Sequence, residues 1–141
     1  MPEIINGQRK IKIESETFQS FAEKTVEIVP EIQDKTFTVA FISDRKMREL
    51  NKTFRAKNST TDVLSFPFEA EDFETETNNL GDIVISAEQS ARQAVENNLD
   101  LETEIKQLIL HGILHLCGYD HEIDNGEMNA LELKLRKKLK I

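Results

Sequence analysis

All three histidines of this chain, His111, His115 and His121, fall within eleven residues, on and just after its most apolar stretch. The neighbours Leu108, Ile109, Leu110, Ile113, Leu114 and Leu116 are apolar nearly all round. A helix from about Leu101 to Cys117 therefore belongs at the centre of a core. Residues four apart on a helix differ by about 40° in azimuth and about 6 Å along the axis, so His111 and His115 leave one face. Gly118 comes three residues after His115, where glycine takes the left-handed conformation that ends a helix and turns the chain. That turn can bring His121 to the same point. Three imidazoles and a water make the open tetrahedral zinc site of hydrolytic enzymes, with the fourth position free for chemistry. The plainer alternative, three hydrogen-bonded core histidines, requires costly desolvation of three rings without a shared partner. Spacing and burial together favour one zinc per chain. Cys117, two residues past His115, points to another side of the helix and reads as a small buried hydrophobe.

The length, 141 residues, suits one domain spanning 1–141 with a core of its own. No apolar run reaches the length of a membrane span, and the first residues lack the basic and apolar regions of a signal peptide. A single cysteine rules out an internal disulfide. Together these features predict a cytoplasmic protein with no membrane partner. The net charge of −8 argues against a nucleic-acid binder until its distribution is considered. Residues 1–70 carry 11 basic and 11 acidic side chains, whereas residues 71–141 carry 7 and 15. Within the neutral half, Arg45, Lys46, Arg48, Lys52, Arg55 and Lys57 face a single acid, Glu49. This is a local basic patch, or else a solvated helix face.

The remaining elements follow from periodicity. Residues 4–13 are weakly strand-like, with Ile11 and Ile13 alternating with polar neighbours. From Thr17 to Val29, Phe18, Phe21, Ala22, Val26 and Val29 fall at helical spacing until Pro30. Phe37, Val39 and Phe41 alternate in a strand over Thr36–Ile42. Ser43 or Asp44 caps a helix whose Met47, Leu50 and Phe54 face the core. Asp62–Phe66 is a short strand ending at Pro67, and 69–76 reads as an acidic mobile loop. Asp82–Ile85 is another strand, Ser86 and Gln89 form a capping box for a helix to about Asn98, and a last helix buries Met128, Leu131, Leu135 and Leu139. The order predicts an α+β fold, a small mixed sheet with helices mainly on one face and the histidine helix at its centre.

The spacing His111-x-x-x-His115-x-x-Gly118-x-x-His121 is that of the metzincin zinc proteases, which carry a glutamate general base directly after the first histidine. Here that position is Gly112. The metal framework is present without the peptidase base, and a phosphodiester, whose transition state calls for cations, suits such a site better.

The stretch from His111 to His121, His-Gly-x-Leu-His-Leu-x-Gly-Tyr-Asp-His, resembles the signature of the YbeY family of bacterial endoribonucleases. Leu50-Asn51 through Phe54-Arg55, Thr61 through Pro67, Leu80 through Ser86, and the trailing Glu127-Met128 and Leu131-Glu132 match in the same order. The stretch Glu122–Gly126 departs from the pattern, and the first 40 residues support only the fold. The resemblance implies a zinc-containing, single-strand-specific endoribonuclease. It would act in 3′-end maturation of small-subunit ribosomal RNA and in ribosome quality control, with ribosomal proteins or an assembly GTPase as partners and no role on DNA. It implies His111, His115 and His121 as zinc ligands, Arg55 as the phosphate-facing catalytic arginine, and Asp82 as a contact to substrate or partner. The basic residues Arg45, Lys46, Arg48 and Lys52 are the accompanying RNA-binding candidates. Two other readings remain open: an assembly factor with a structural zinc, and a zinc hydrolase of another substrate. Three ligands rather than four favour an open, catalytic site over a structural one.

Overall fold

The computed structural model describes residues 1–68, 78–119 and 126–141. It contains strands β1 (Glu3–Asn6), β2 (Thr36–Ile42), β3 (Val63–Pro67) and β4 (Asn79–Ser86). The helices are α1 (Ser15–Ile28), α2 (Asp44–Arg55), α3 (Ala87–Glu96), α4 (Leu101–Leu116) and α5 (Glu127–Leu139). The strands form one mixed sheet in the order β1-β2-β4-β3, with β3 antiparallel to β4 and the other pairs parallel. The acidic stretch 69–76 lies outside the described residues.

Alternation decides what each face of the sheet covers. Phe37, Val39, Phe41, Ile83 and Ile85 point to one side, into the main core with α1, α4 and α5. Leu64 and Val84, paired across β3 and β4, point to the other side and meet Met47 of α2 in a small second core. This is the expected α+β arrangement, helices mainly on one face, with α2 covering the reverse. Helix α4 is the central one: Ile105, Ile109, Leu110, Ile113 and Leu114 are inaccessible, each stabilising by about 1.5–3 kcal/mol. Its first turn is capped by Asp100, whose carboxylate accepts from the Thr103 N–H at 2.7 Å.

Two expectations need correction. The first strand stops at Asn6, because the Gln8 side chain donates to the Ile11 carbonyl at 2.8 Å and accepts its N–H at 2.9 Å. Gln8 thereby closes a turn where a longer strand would need a partner, and Ile13 packs only at the core margin. Phe54 is 62 % exposed rather than buried. β3 is the edge of the sheet, and by its last turn α2 has run past the surface that buries Met47. Of the two candidate caps, Ser43 accepts the Lys46 N–H at 3.2 Å. The Ser86 hydroxyl likewise accepts the Gln89 N–H at 3.2 Å, and α3 ends at Glu96, two residues early, with Asn98 left-handed.

Candidate active site

His111 and His115 lie one turn apart on α4, and their Nε2 atoms meet at 3.0 Å. Their rings stand edge to face, with centroids 4.6 Å apart. The Nδ1–H of His111 donates to the Glu132 carboxylate at 2.7 Å, and Arg136, one turn along α5, donates to the same carboxylate at 3.3 Å. With its proton held on Nδ1, His111 presents the Nε2 lone pair toward His115. Two nitrogens on one tetrahedral zinc, each about 2.0–2.1 Å from it, would stand about 3.3 Å apart. The pair, separated by a few tenths of an ångström less, fits that group. Among the described residues no three His, Cys, Asp or Glu side chains surround one point. The remaining ligand candidate, His121, lies outside the described residues, as does Glu122. Gly118, at φ +97°, turns the chain at the end of α4, and the Gly118 N–H closes on the His115 carbonyl at 3.0 Å.

Glu132 was not singled out by role from the sequence, although a signal exists. It shares the inward stripe of α5 with Met128, Leu135 and Leu139 and is 6 % exposed. An acid on an apolar stripe needs a partner, and here the partner is a candidate ligand.

Gly112 explains why the protease glutamate has no place here. A Cβ at this position would lie 2.8 Å from Cγ2 of Ile83, so the residue after His111 points into the sheet, away from the imidazoles. Helix and strand approach so closely that the Ser65 hydroxyl of β3 donates to the Gly112 carbonyl at 3.3 Å.

His111 and His115 open on a groove of about 650 Å³ along the outer edge of β3. Its other walls include Arg55, Phe54, Asp62 and Phe66, so helices from opposite faces of the sheet contribute to one cleft. Asp62 is the one acid among the described residues lining it. One of its oxygens accepts the Val63 N–H at 2.7 Å, the other the Gln93 side chain at 3.2 Å, which fixes its orientation. Arg55 is the last residue of α2, and the opposite end of that helix is tied down at Asp44. There Asp44 accepts from Ser86 at 2.6 Å, Thr60 at 3.2 Å and Arg92, joining α2 to α3 and to the segment after Arg55. Partial burial alone would raise the Asp44 carboxyl, but the hydrogen bonds from Ser86 and Arg92, the Arg92 charge and the Thr60 hydroxyl together hold it below its ordinary range.

Of the other candidates, Arg45, Lys46, Arg48 and Lys52 are all exposed on α2. Arg45, Arg48, Lys52 and Arg55 share an arc of about 80°, one stripe ending at the groove, whereas Lys46 lies outside it, 3.8 Å from Glu49. Asp82 is exposed on the α2 side of β4, next to Phe66 in register and away from the histidines. Cys117 is half-buried, and burial, then the charge of Glu31, push its thiol up against the pull of Lys35, which disfavours the thiolate a soft ligand needs.

Paired imidazoles oriented by a carboxylate beside a guanidinium-walled groove define a hydrolase-type centre suited to an anionic substrate. The comparisons identify the family. The model of the family described as "Endoribonuclease YbeY" matches residues 3–140. A protein named endoribonuclease YbeY from Thermodesulfovibrio yellowstonii is 38 % identical, with 98 % of this chain and 96 % of that protein aligned. One from Clostridioides difficile is 36 % identical over 95 % of this chain and 93 % of its own length. The solution structure of TM1509 from Thermotoga maritima superposes with a TM-score of 0.68 at 34 % identity, covering 99 % of this chain and 89 % of that one. The chain belongs to the endoribonuclease YbeY family.

Proposed function

We propose that this chain is a zinc-dependent, single-strand-specific endoribonuclease of the cytoplasm, acting in 3′-end maturation of small-subunit ribosomal RNA and in ribosome quality control. Ribosomal proteins or an assembly GTPase are its partners in this reading. The observation that carries it is the shared groove, in which the His111 and His115 Nε2 pair and the Arg55 side chain line one cleft. His111, His115 and His121 would hold one zinc, which supplies Lewis acidity and a water of lowered pKa.

The chain's own residues do the rest. Glu132 keeps His111 in the Nδ1–H tautomer. Arg55 offers a bidentate guanidinium to the phosphoryl oxygens, where charge grows in the transition state. Asp62, fixed by Val63 and Gln93, keeps lone pairs free to take a proton from the attacking water. The stripe of Arg45, Arg48 and Lys52 continues the positive surface along α2, with Lys46 at its margin, and contacts phosphates without reading bases. Asp82, paired in register with the groove-lining Phe66 but on the α2 side of the sheet, is the position for a contact to substrate or partner.

Cleavage of a labelled single strand and of the same sequence as a duplex, each with and without a chelator, tests the reading. Single-strand cleavage abolished by chelation and restored by zinc supports it, together with loss of bound zinc in His115→Ala. Cleavage insensitive to chelation, or none at all, refutes it.

A further inference from the structure

Phe54 is out of place as a core residue and well placed for something else. It is 62 % exposed on a helix whose other exposed positions are all polar or charged, and it stands beside Arg55 in the wall of the groove. Its ring is not loose. Phe66 meets it edge to face at 5.2 Å and 70°, and Phe66 is anchored in the second core beside Met47 and Leu64. An aromatic ring kept largely in water, braced by a second ring and neighboured by a cation, carries the two features that single-stranded nucleic acid requires of a surface. These are a flat apolar face for a base and a positive charge for its phosphate.

We propose that Phe54, braced by Phe66, is a stacking seat for one unpaired nucleobase of the RNA strand whose phosphate Arg55 holds. This rests on the nuclease reading above and deepens it. A base in a duplex is covered on both faces by its neighbours and cannot lie on the ring, whereas a splayed base can. The seat therefore selects unpaired RNA at the groove without hydrogen bonds to base edges, so it discriminates little among the four bases. Phe68, also exposed at 42 %, follows the last residue of β3 and is not among the groove's lining residues. The seat is assigned to Phe54 alone.

The chain contains no tryptophan, so Phe54→Trp introduces a single indole at the seat. Titrating this zinc-loaded variant with a short single-stranded RNA should quench its fluorescence. The same strand with one abasic nucleotide, moved position by position, should fail to quench at one position only. In parallel, wild type should lose on the order of 10-fold in kcat/KM when that base is missing. Phe54→Ala should lose a similar factor on the intact strand and little more on the abasic one, and Phe54→Leu should behave like Phe54→Ala despite its apolar bulk. Cleavage by Phe54→Ala equal to that of wild type, or quenching that ignores every abasic substitution, overturns the seat while leaving the nuclease reading intact. Failure of wild type to bind or cleave single-stranded RNA overturns both.

Discussion

Replacing Gly112 by alanine separates packing from helix propensity with a single methyl group. In an exposed helix the change would stabilise by about 0.8–1 kcal/mol. Here the new Cβ would sit 2.8 Å from Cγ2 and 3.1 Å from Cδ1 of Ile83, against a comfortable carbon separation of about 3.5–4.0 Å. Ile83 has no accessible surface, is stiff at χ1, and lies on β4 between two other strands. The deficit of roughly half to one ångström must come from α4 moving off the sheet, and such overpacking costs about 1–3 kcal/mol. Gly112→Ala should thus lose about 1 kcal/mol net in urea unfolding, and zinc affinity should fall as His111 shifts. Ile83→Ala alone should cost about 2–5 kcal/mol by leaving a cavity. The double variant should be more stable than Ile83→Ala alone, because the methyl enters the vacated space, with a coupling of about 1 kcal/mol or more. A stabilised Gly112→Ala, additive with Ile83→Ala, would refute the idea that close approach selects glycine here.

Three further outcomes follow from the cleft. Arg55→Ala should keep the fold and bound zinc yet lose on the order of 100-fold in turnover, with Arg55→Lys restoring only part; wild-type kinetics would remove Arg55 from the mechanism. Glu132→Gln, which keeps shape but weakens the hold on His111, should lower zinc affinity about 10- to 100-fold by chelator competition, and unchanged affinity would deny Glu132 its positioning role. Because the Asp44 carboxyl is held below its ordinary value, its contribution is complete above the unfolded value and fades as pH falls through the folded one. Asp44→Asn should therefore cost roughly 1–2 kcal/mol at neutral pH and progressively less at acid pH, and a cost that did not shrink would contradict the linkage.

What could be read in advance follows the range of the interactions involved. Helix α4 was legible because nine of its sixteen residues are buried, so its pattern needs no knowledge of neighbours. The turn at Gly118 and the pairing of His111 with His115 were equally local. The extension of the first strand was misjudged because Gln8 supplies hydrogen bonds that a pattern of isoleucines cannot reveal. Phe54 fits the stripe of Met47 and Leu50, and only the position of β3 at the sheet edge accounts for its exposure. The Asp44 cluster draws on Thr60, Ser86 and Arg92, far apart in sequence, and no periodicity announces it. Glu132 lay between: its place on an apolar stripe was visible, its partner was not.

The cleft owes its shape to a division of the core. Most of the buried chain, with α4 and α5, lies on one face of the sheet and fixes His111, His115 and Glu132. The arginine comes from α2 on the other face, over a second core that among the described residues comprises Met47, Leu64 and Val84 with partly buried neighbours. Groups on opposite faces of a sheet can share a site only at its edge, where no strand intervenes, and β3 is that edge. Pro67 ends it without a donor, which limits its use as a pairing edge and leaves its outer side to the groove. The small core alone would hold α2 loosely, and the Asp44 hydrogen bonds to Thr60, Ser86 and Arg92 supply a second attachment at its far end. An imidazole pair that holds a metal in the proposed mechanism, and so needs sub-ångström geometry, thus rests on the large core. The guanidinium, which in the proposed mechanism reaches a flexible phosphate chain, rests on the small one.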